Sequence, residues 1–531
     1  MPPQLRPARG AALLATLALF IGGAAKPAQA PAQAPTPVNV TIESQAPGRP
    51  IPKRFLGLSF EAAALTQLAD DAHKGNLVPL LRSLGPGVLR FGGITADENV
   101  AWSDPETPAP AWASSTIGPA QMEALGELAK RSGWQVLLTV GLAHFEPQAA
   151  AREVAAAHHA LGPYLAAVEI GNEPNAYGNH GFRELPWIAQ GYEEEVSDYR
   201  DAIESLTPGV PIAGPDVSGS GVFSEWGSEE ALAQTPALLT GHHYPLGCAR
   251  TPPPSIESLL SPAIRGAAAR SLATYMAVAG ENGIPFRMDE LGSVSCGGVA
   301  GVSNTFASAL WATGYLAQAM DDGLAGVNLQ GNPTNCLGYT PLCAPSAEAQ
   351  AAGNLRAQPD WYALLLAKSL IGYRPLPMTI GSAPAEPAEP EEPTSGEPQA
   401  PPPVAAAGTP DLVAASFLGA GHTLKVVLSD QEAPGANPLE IHLAVGAGFA
   451  TGDLGRLEAS SPSATGGVRL AGRAVAANGS WHEPEHPELV TVKSGNATVQ
   501  LDPSSAALIT FAPPKPKPKR KLAHHGHAKR G

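Results

Sequence analysis

Val168-Glu169-Ile170-Gly171-Asn172-Glu173-Pro174-Asn175 is the stretch on which the reading of this chain turns. An apolar run that begins at Leu165 ends abruptly in Gly-Asn-Glu-Pro. A buried strand has this form when it delivers one carboxylate to its C-terminal tip and a proline stops further pairing. Taken alone, Asn-Glu-Pro also fits a polar turn after a strand. A second stretch, Ile284-Pro285-Phe286-Arg287-Met288-Asp289-Glu290-Leu291-Gly292, is again a short apolar strand ending in a glutamate, about 117 residues after the first. That interval leaves room for about three βα units, so the two glutamates fall at the ends of a fourth and a seventh strand of one barrel, on the face where that fold keeps its chemistry.

Counting outward supports the barrel. Candidate strands are Phe55 to Phe60, Gly87 to Phe91, Gln135 to Val140, Ala166 to Gly171, Pro211 to Pro215, Leu238 to His243, Pro285 to Asp289 and Gly326 to Gln330. Helical patterns lie between them at Met122 to Arg131, Ala149 to Leu161, Tyr192 to Leu206, Ile264 to Ala279 and Thr305 to Met320. Strands alternating with helices over residues 53–375 predict a (β/α)8 TIM barrel. The alternative, a doubly wound open sheet, lacks its Gly-x-Gly-x-x-Gly turn after a first strand.

The flanks read differently. Residues 1–30 carry Arg6 and Arg9, an apolar run from Ala11 to Ala25 and then small residues, the form of a secretory signal peptide. A signal anchor is the alternative, but the run is short for a bilayer span. Residues 31–52 hold the strand-like Val38-Asn39-Val40-Thr41-Ile42, and 383–410 are a Pro/Ala/Glu-rich linker or loop. From 411 to 513 short alternating runs such as Leu424 to Leu428, Glu440 to Leu443, Leu489 to Val492, Ala497 to Leu501 and Ala507 to Phe511 predict an antiparallel β-sandwich. The strand near Val38 and a return segment at 376–382 are expected to join it. Residues 514–531 form a basic, histidine-rich tail, read as a disordered extension or a contact with an anionic cell surface.

A net charge of −15 over 531 residues argues against a nucleic-acid partner and against long-range attraction of a polyanionic polymer. The four cysteines follow no zinc-ligand spacing, so no metal is expected. Export permits disulfides, and four cysteines allow three pairings. Because each follows a candidate strand on the same barrel face, Cys336 with Cys343 and Cys248 with Cys296 are favoured as loop staples.

Cleaving a glycosidic bond requires one carboxylic acid to protonate the leaving oxygen and a second carboxylate to attack the anomeric carbon or activate water. Glu173 is assigned as acid/base and Glu290 as nucleophile. With Gly57-Leu58-Ser59-Phe60-Glu61, Arg90-Phe91-Gly92-Gly93, Asp97, His242-His243-Tyr244 and Asp360-Trp361-Tyr362-Ala363-Leu364-Leu365, these stretches resemble glycoside hydrolase family 79, the heparanase and β-glucuronidase-like enzymes, over residues 55–375. The resemblance implies a retaining mechanism without a cofactor, acting on an oligo- or polysaccharide or a glycoside. It also implies that Asn172 bonds the sugar 2-hydroxyl, Arg90 supports the nucleophile, Tyr244 stands beside it, and Glu61 and Asp97 grip ring hydroxyls. Uronate recognition would fall to Gly297 and Gly298 amides with Gln330 and Tyr339; Val294-Ser295-Cys296 stands where relatives tend to carry an aromatic residue. Glu169, four residues before Glu173, is read as a member of an internal charge network. Two other readings stay open: the same machinery acting on a neutral sugar such as xylose or glucose, and a non-catalytic carbohydrate-binding cell-wall protein.

Overall fold

The structure, a computed structural model, describes residues 34–43, 46–382 and 410–514. The expected signal peptide, the linker from 383 to 409 and the tail from 515 onward lie outside the described residues. Among the described residues no helix is long and apolar enough to cross a membrane.

Eight parallel strands close into a barrel in chain order: Leu56–Glu61, Val88–Gly92, Gln135–Val140, Leu165–Ile170, Ile212–Ser218, Leu238–His243, Phe286–Leu291 and Gly326–Gly331. The expected TIM barrel is therefore present, its strands displaced from the sequence reading by at most a few residues. Apolar residues floor the interior: Val88, Leu137, Ala167 and Ala213 form a separate layer at the strand starts. Above it the filling turns polar. Arg287 donates from Nε to Asn328 Oδ1 at 2.6 Å, and Asn328 Nδ2 donates to the Leu58 and Val88 carbonyls at 2.9 and 3.1 Å. A Cβ at Gly57 would collide with this pair, which explains a glycine on the first strand.

The other domain is a mostly antiparallel sheet that folds over itself into a sandwich. Thr36–Ile42 lies within it, parallel to Leu439–Ala444 and antiparallel to Met378–Ser382. The return to this domain begins at Arg374–Leu376, which pairs with Leu412–Leu418, two residues earlier than the sequence reading placed it. The sandwich and barrel share a core: Phe417, Val427, Leu457 and Ala506 belong to the same buried cluster as the barrel helices. The helix Phe306–Asp321 is wedged between them and is buried on nearly every face, so its sequence, Phe-Ala-Ser-Ala-Leu-Trp-Ala-Thr-Gly-Tyr-Leu-Ala, shows no polar stripe. Its first amides are capped from the sandwich, Phe306 and Ala307 donating to the carbonyls of Ala464 and Pro462 at 2.8 Å each. Arg265 crosses the same boundary, donating to Gln431 at 2.6 Å and pairing with Asp411.

Candidate active site

A cavity of about 740 Å³ opens at the C-terminal ends of the barrel strands. Glu173 reaches it from a sharp turn just past the fourth strand. Its backbone is left-handed (φ 46°), rare for a residue with a side chain, and is held by its amide bonding the Asp216 carbonyl at 2.9 Å and its own carbonyl accepting from Ala176 at 2.8 Å. Pro174 then starts a short turn, so the chain cannot continue as strand.

Glu290 arrives differently. The seventh strand shifts register between Met288 and Glu290 against its sixth-strand neighbour, an irregularity of the kind that re-aims side chains beside active sites. It turns Glu290 into the cavity directly after the buried Asp289. Glu290 accepts from Arg90 Nη1 at 2.6 Å on one oxygen and from the Tyr244 hydroxyl at 2.7 Å on the other. An oxygen of Glu173 and an oxygen of Glu290 lie within 4.8 Å of each other.

Arg90, fully buried, ties the floor of the site together. It also donates to Glu169 (2.9 Å), Ser59 (3.1 Å), Asn172 (2.9 Å) and Asp216 (2.7 Å). Burial alone would weaken its charge, but Asp216, Glu169, Asp289 and Glu290 hold the guanidinium's pKa well above its ordinary value. Five buried or half-buried carboxyls face two cations, Arg90 and His242, and the imbalance is relieved by protonation: burial, then the neighbouring Asp216 and Glu169 charges, push the pKa of Asp289 well above the carboxylate range. His242 is raised too. Its burial would lower it, but Glu290, Asp216 and Asp289 outweigh that. Glu173 goes the other way: burial would raise it, while the hydrogen bond and charge of His242 hold it below its ordinary value.

The cavity gathers Glu61, Asn172, Glu173, Tyr244, Glu290, Gly297, Gln330 and Tyr339 on one wall system. Glu61 accepts from the Thr95 amide and hydroxyl at 3.0 and 2.8 Å through one oxygen, leaving the other to the cavity. Gln330 is 2 % exposed with its carboxamide oxygen unpaired. Cys248–Cys296 and Cys336–Cys343 are both bonded. The first ties the loops after the sixth and seventh strands, and the second closes the loop after the eighth.

Two expectations are corrected. Asp97 cannot grip a sugar: it is 1 % exposed, and its oxygens accept from the Leu142, Ala143 and Asn172 amides and the Tyr177 hydroxyl at 2.7–3.1 Å, so it braces three loops from behind. Gly298 offers no free amide, because its N–H bonds Ser295 at 3.2 Å, and the Gly297 N–H is taken by the Tyr339 hydroxyl at 3.1 Å. Conversely, Asp216 escaped the sequence reading, which ended the fifth strand three residues early, at Pro215 rather than Ser218. The available signal was an acidic residue at the end of a barrel strand, the same rule that found Glu290. Another cavity of about 760 Å³, between the sandwich and the barrel rim, has Arg356 as its one charged lining residue and no cluster of titratable groups.

Neither a family profile nor a curated protein matches this sequence. Solved structures do. A 4-O-α-L-rhamnosyl-β-D-glucuronidase from Fusarium oxysporum 12S superposes with a TM-score of 0.69 at 19% identity, covering 89% of this chain and 100% of that one. A GH51 arabinofuranosidase from Xanthomonas axonopodis pv. citri gives 0.61 at 12% (90% and 100%), and the catalytic domain of GH30 xylanase C from Talaromyces cellulolyticus 0.52 at 12% (89% and 100%). These neighbours are glycoside hydrolases. At such identities the likeness establishes the shared fold, a barrel with an attached β-domain.

Proposed function

We propose that this protein is an exported retaining β-glycosidase, similar to family 79 and of β-glucuronidase type. The observation that carries the reading is the pair of carboxylates within 4.8 Å, one donated to by Arg90 and Tyr244, the other facing His242. Retaining glycosidases hold their carboxyls about 5–5.5 Å apart, whereas inverting ones need about 6.5–9.5 Å to admit a water. Glu290 then attacks the anomeric carbon as the bond to the leaving oxygen breaks, and Glu173 gives that oxygen its proton. In the second step Glu173 takes a proton from water, whose oxygen displaces Glu290 from the sugar. Asn172 stands at the junction of the two, its Oδ1 fixed by Arg90 and its amide nitrogen left to the sugar. Gln330 and Tyr339 are the groups offered to a uronate carboxylate, and two disulfides support the reading of an exported protein.

One observation favours the neutral-sugar reading: no lysine or arginine is among the residues lining the cavity, and the Gly297 amide is already spent. A panel of 4-nitrophenyl β-D-glucuronide, β-D-glucoside, β-D-xyloside and α-L-arabinofuranoside separates the two. Preference for the glucuronide supports the uronidase. Preference for a hydroxymethyl or unsubstituted sugar transfers the same mechanism to a neutral substrate. A 2-fluoro glycosyl reagent should label Glu290; intact glycosides and no label would overturn the enzymatic proposal in favour of a binding protein.

A further inference from the structure

His242 has a carboxyl oxygen at each ring nitrogen: Glu173 Oε1 at 2.9 Å from Nδ1 and Asp216 Oδ1 at 2.7 Å from Nε2. A neutral imidazole has one N–H, so one of these contacts would set two acceptors against each other unless a carboxyl supplied the proton. Asp216 is the poorer place for that proton. Its other oxygen accepts from Arg90 Nη2 at 2.7 Å, and the two cations hold it ionised against its burial, well below the usual carboxylate range. Two further acids face the ring, Asp289 at 3.5 Å and Glu290 at 3.9 Å, both from the seventh strand, and Arg90 shares these two and Asp216 with it as the second cation. From the helix Pro262–Asn282, Tyr275 donates its hydroxyl to the His242 carbonyl at 2.8 Å and fixes the backbone under the ring. The side chain of His242 is wholly buried, so water cannot substitute for either partner.

We propose that Asp216 is a positioning residue for Glu173 acting through His242: it keeps the imidazole doubly protonated, so that Nδ1–H pins Oε1 of Glu173 and leaves Oε2 as the oxygen that exchanges a proton with the substrate. The inference rests on the reading of Glu173 as acid/base. In the first step the Oε2 proton goes to the leaving oxygen as its bond to the anomeric carbon breaks and the Glu290 bond forms. In the second, water returns a proton to Oε2 as its oxygen replaces Glu290. His242 keeps both its protons through the cycle. A fixed positive charge beside Glu173 favours its carboxylate, making it a stronger acid and setting an acidic upper limit to activity.

The test is the pH dependence of kcat/KM of the full chain on phenyl β-glycosides of the sugar preferred in the panel, since a poor leaving group makes the acid necessary. In His242→Gln the basic limb should move to higher pH by about one unit or more, the shift expected on losing an adjacent opposite charge; in Asp216→Asn it should move the same way by less, because the Asp216 charge that raises Glu173 is lost too and Glu290 still faces the ring. The double variant should move no further than His242→Gln alone. A purely structural role would lower kcat/KM at every pH and leave the limb in place; that result, or a downward shift, in whichever variant folds overturns the proposal. In the wild type, ring ¹⁵N signals of His242 should report both nitrogens protonated at pH 7, and a neutral ring there overturns it equally. If the wild type cleaves no glycoside and takes no label at Glu290, it is the enzymatic reading that fails, an outcome distinct from an active enzyme whose limb does not move.

Discussion

Arg90 makes five hydrogen bonds inside the barrel, three of them to Glu290, Asn172 and Asp216, the side chains proposed to carry or position the chemistry. Removing it leaves a cluster of buried carboxyls with one cation, so Arg90→Met should cost on the order of 3–5 kcal/mol, read as a lower midpoint in urea unfolding. The two glutamates should separate by leaving group. Glu290→Gln should lower kcat by about 10⁴-fold or more on every substrate, since a neutral carboxamide cannot form the glycosyl ester. Glu173→Gln should cost about 10²–10⁴-fold with a phenyl leaving group and much less in the first step with a dinitrophenyl one, which departs unaided. Strand-end position found both glutamates, and motif resemblance found Tyr244 and Arg90. Neither shows where a side chain's hydrogen bonds go, which is why Asp97 looked like a ligand and is a brace. The same blindness hid Asp216, whose importance lies in its contacts with Arg90 and His242 rather than in any motif.

Barrel strands announced themselves because each is a short apolar run closed by Gly, Pro or an acid, and the helices between them are amphipathic. The sandwich was harder. Leu412–Leu418 reads Leu-Val-Ala-Ala-Ser-Phe-Leu with no clean alternation, and Thr451–Glu458 is interrupted by two glycines, so both were missed. Their assignment depends on partners far away in sequence, Arg374–Leu376 for the first and Ser505–Phe511 for the second. The contact between the domains has its own consequence. Phe417 is fully buried in the core shared with the barrel. Phe417→Ala should therefore destabilise by about 3–5 kcal/mol. Calorimetry should show one transition for barrel and sandwich together in wild type and variant alike; two separated transitions would mean that the sandwich folds on its own.

Across the described residues, several acids outside the candidate site are buried deeply enough to hold their protons well above the ordinary carboxylate range. Glu153 lies in a helix facing a small cavity with no partner, and burial pushes its pKa to about 8. Asp360 and Asp430 are pushed to about 7 by burial, only partly offset by hydrogen bonds, and Asp71 to about 6. Each binds its proton more tightly folded than unfolded. Their contribution is therefore intact below the unfolded carboxylate range of about 4 and declines as pH rises, until it levels off above pH 8. Unfolding free energy should thus fall between pH 5 and pH 8. Glu153→Gln should leave stability near its wild-type value at pH 4.5 and raise it by on the order of 3 kcal/mol at pH 8; a variant equally stable at both would remove Glu153 from the account. Net acidity was readable from composition, but which acids lie inside was not, because burial is a property of the packed whole.

The seating of Thr36–Ile42 beside Leu439–Ala444 joins segments about 400 residues apart. During synthesis that early strand has its first partner only when Met378–Ser382 emerges and its second only when Leu439–Ala444 does, and the amides capped by Ala464 and Pro462 wait longer still. The finished shape is thus withheld until late, and closure of the sandwich is left to the last part of the chain to be made.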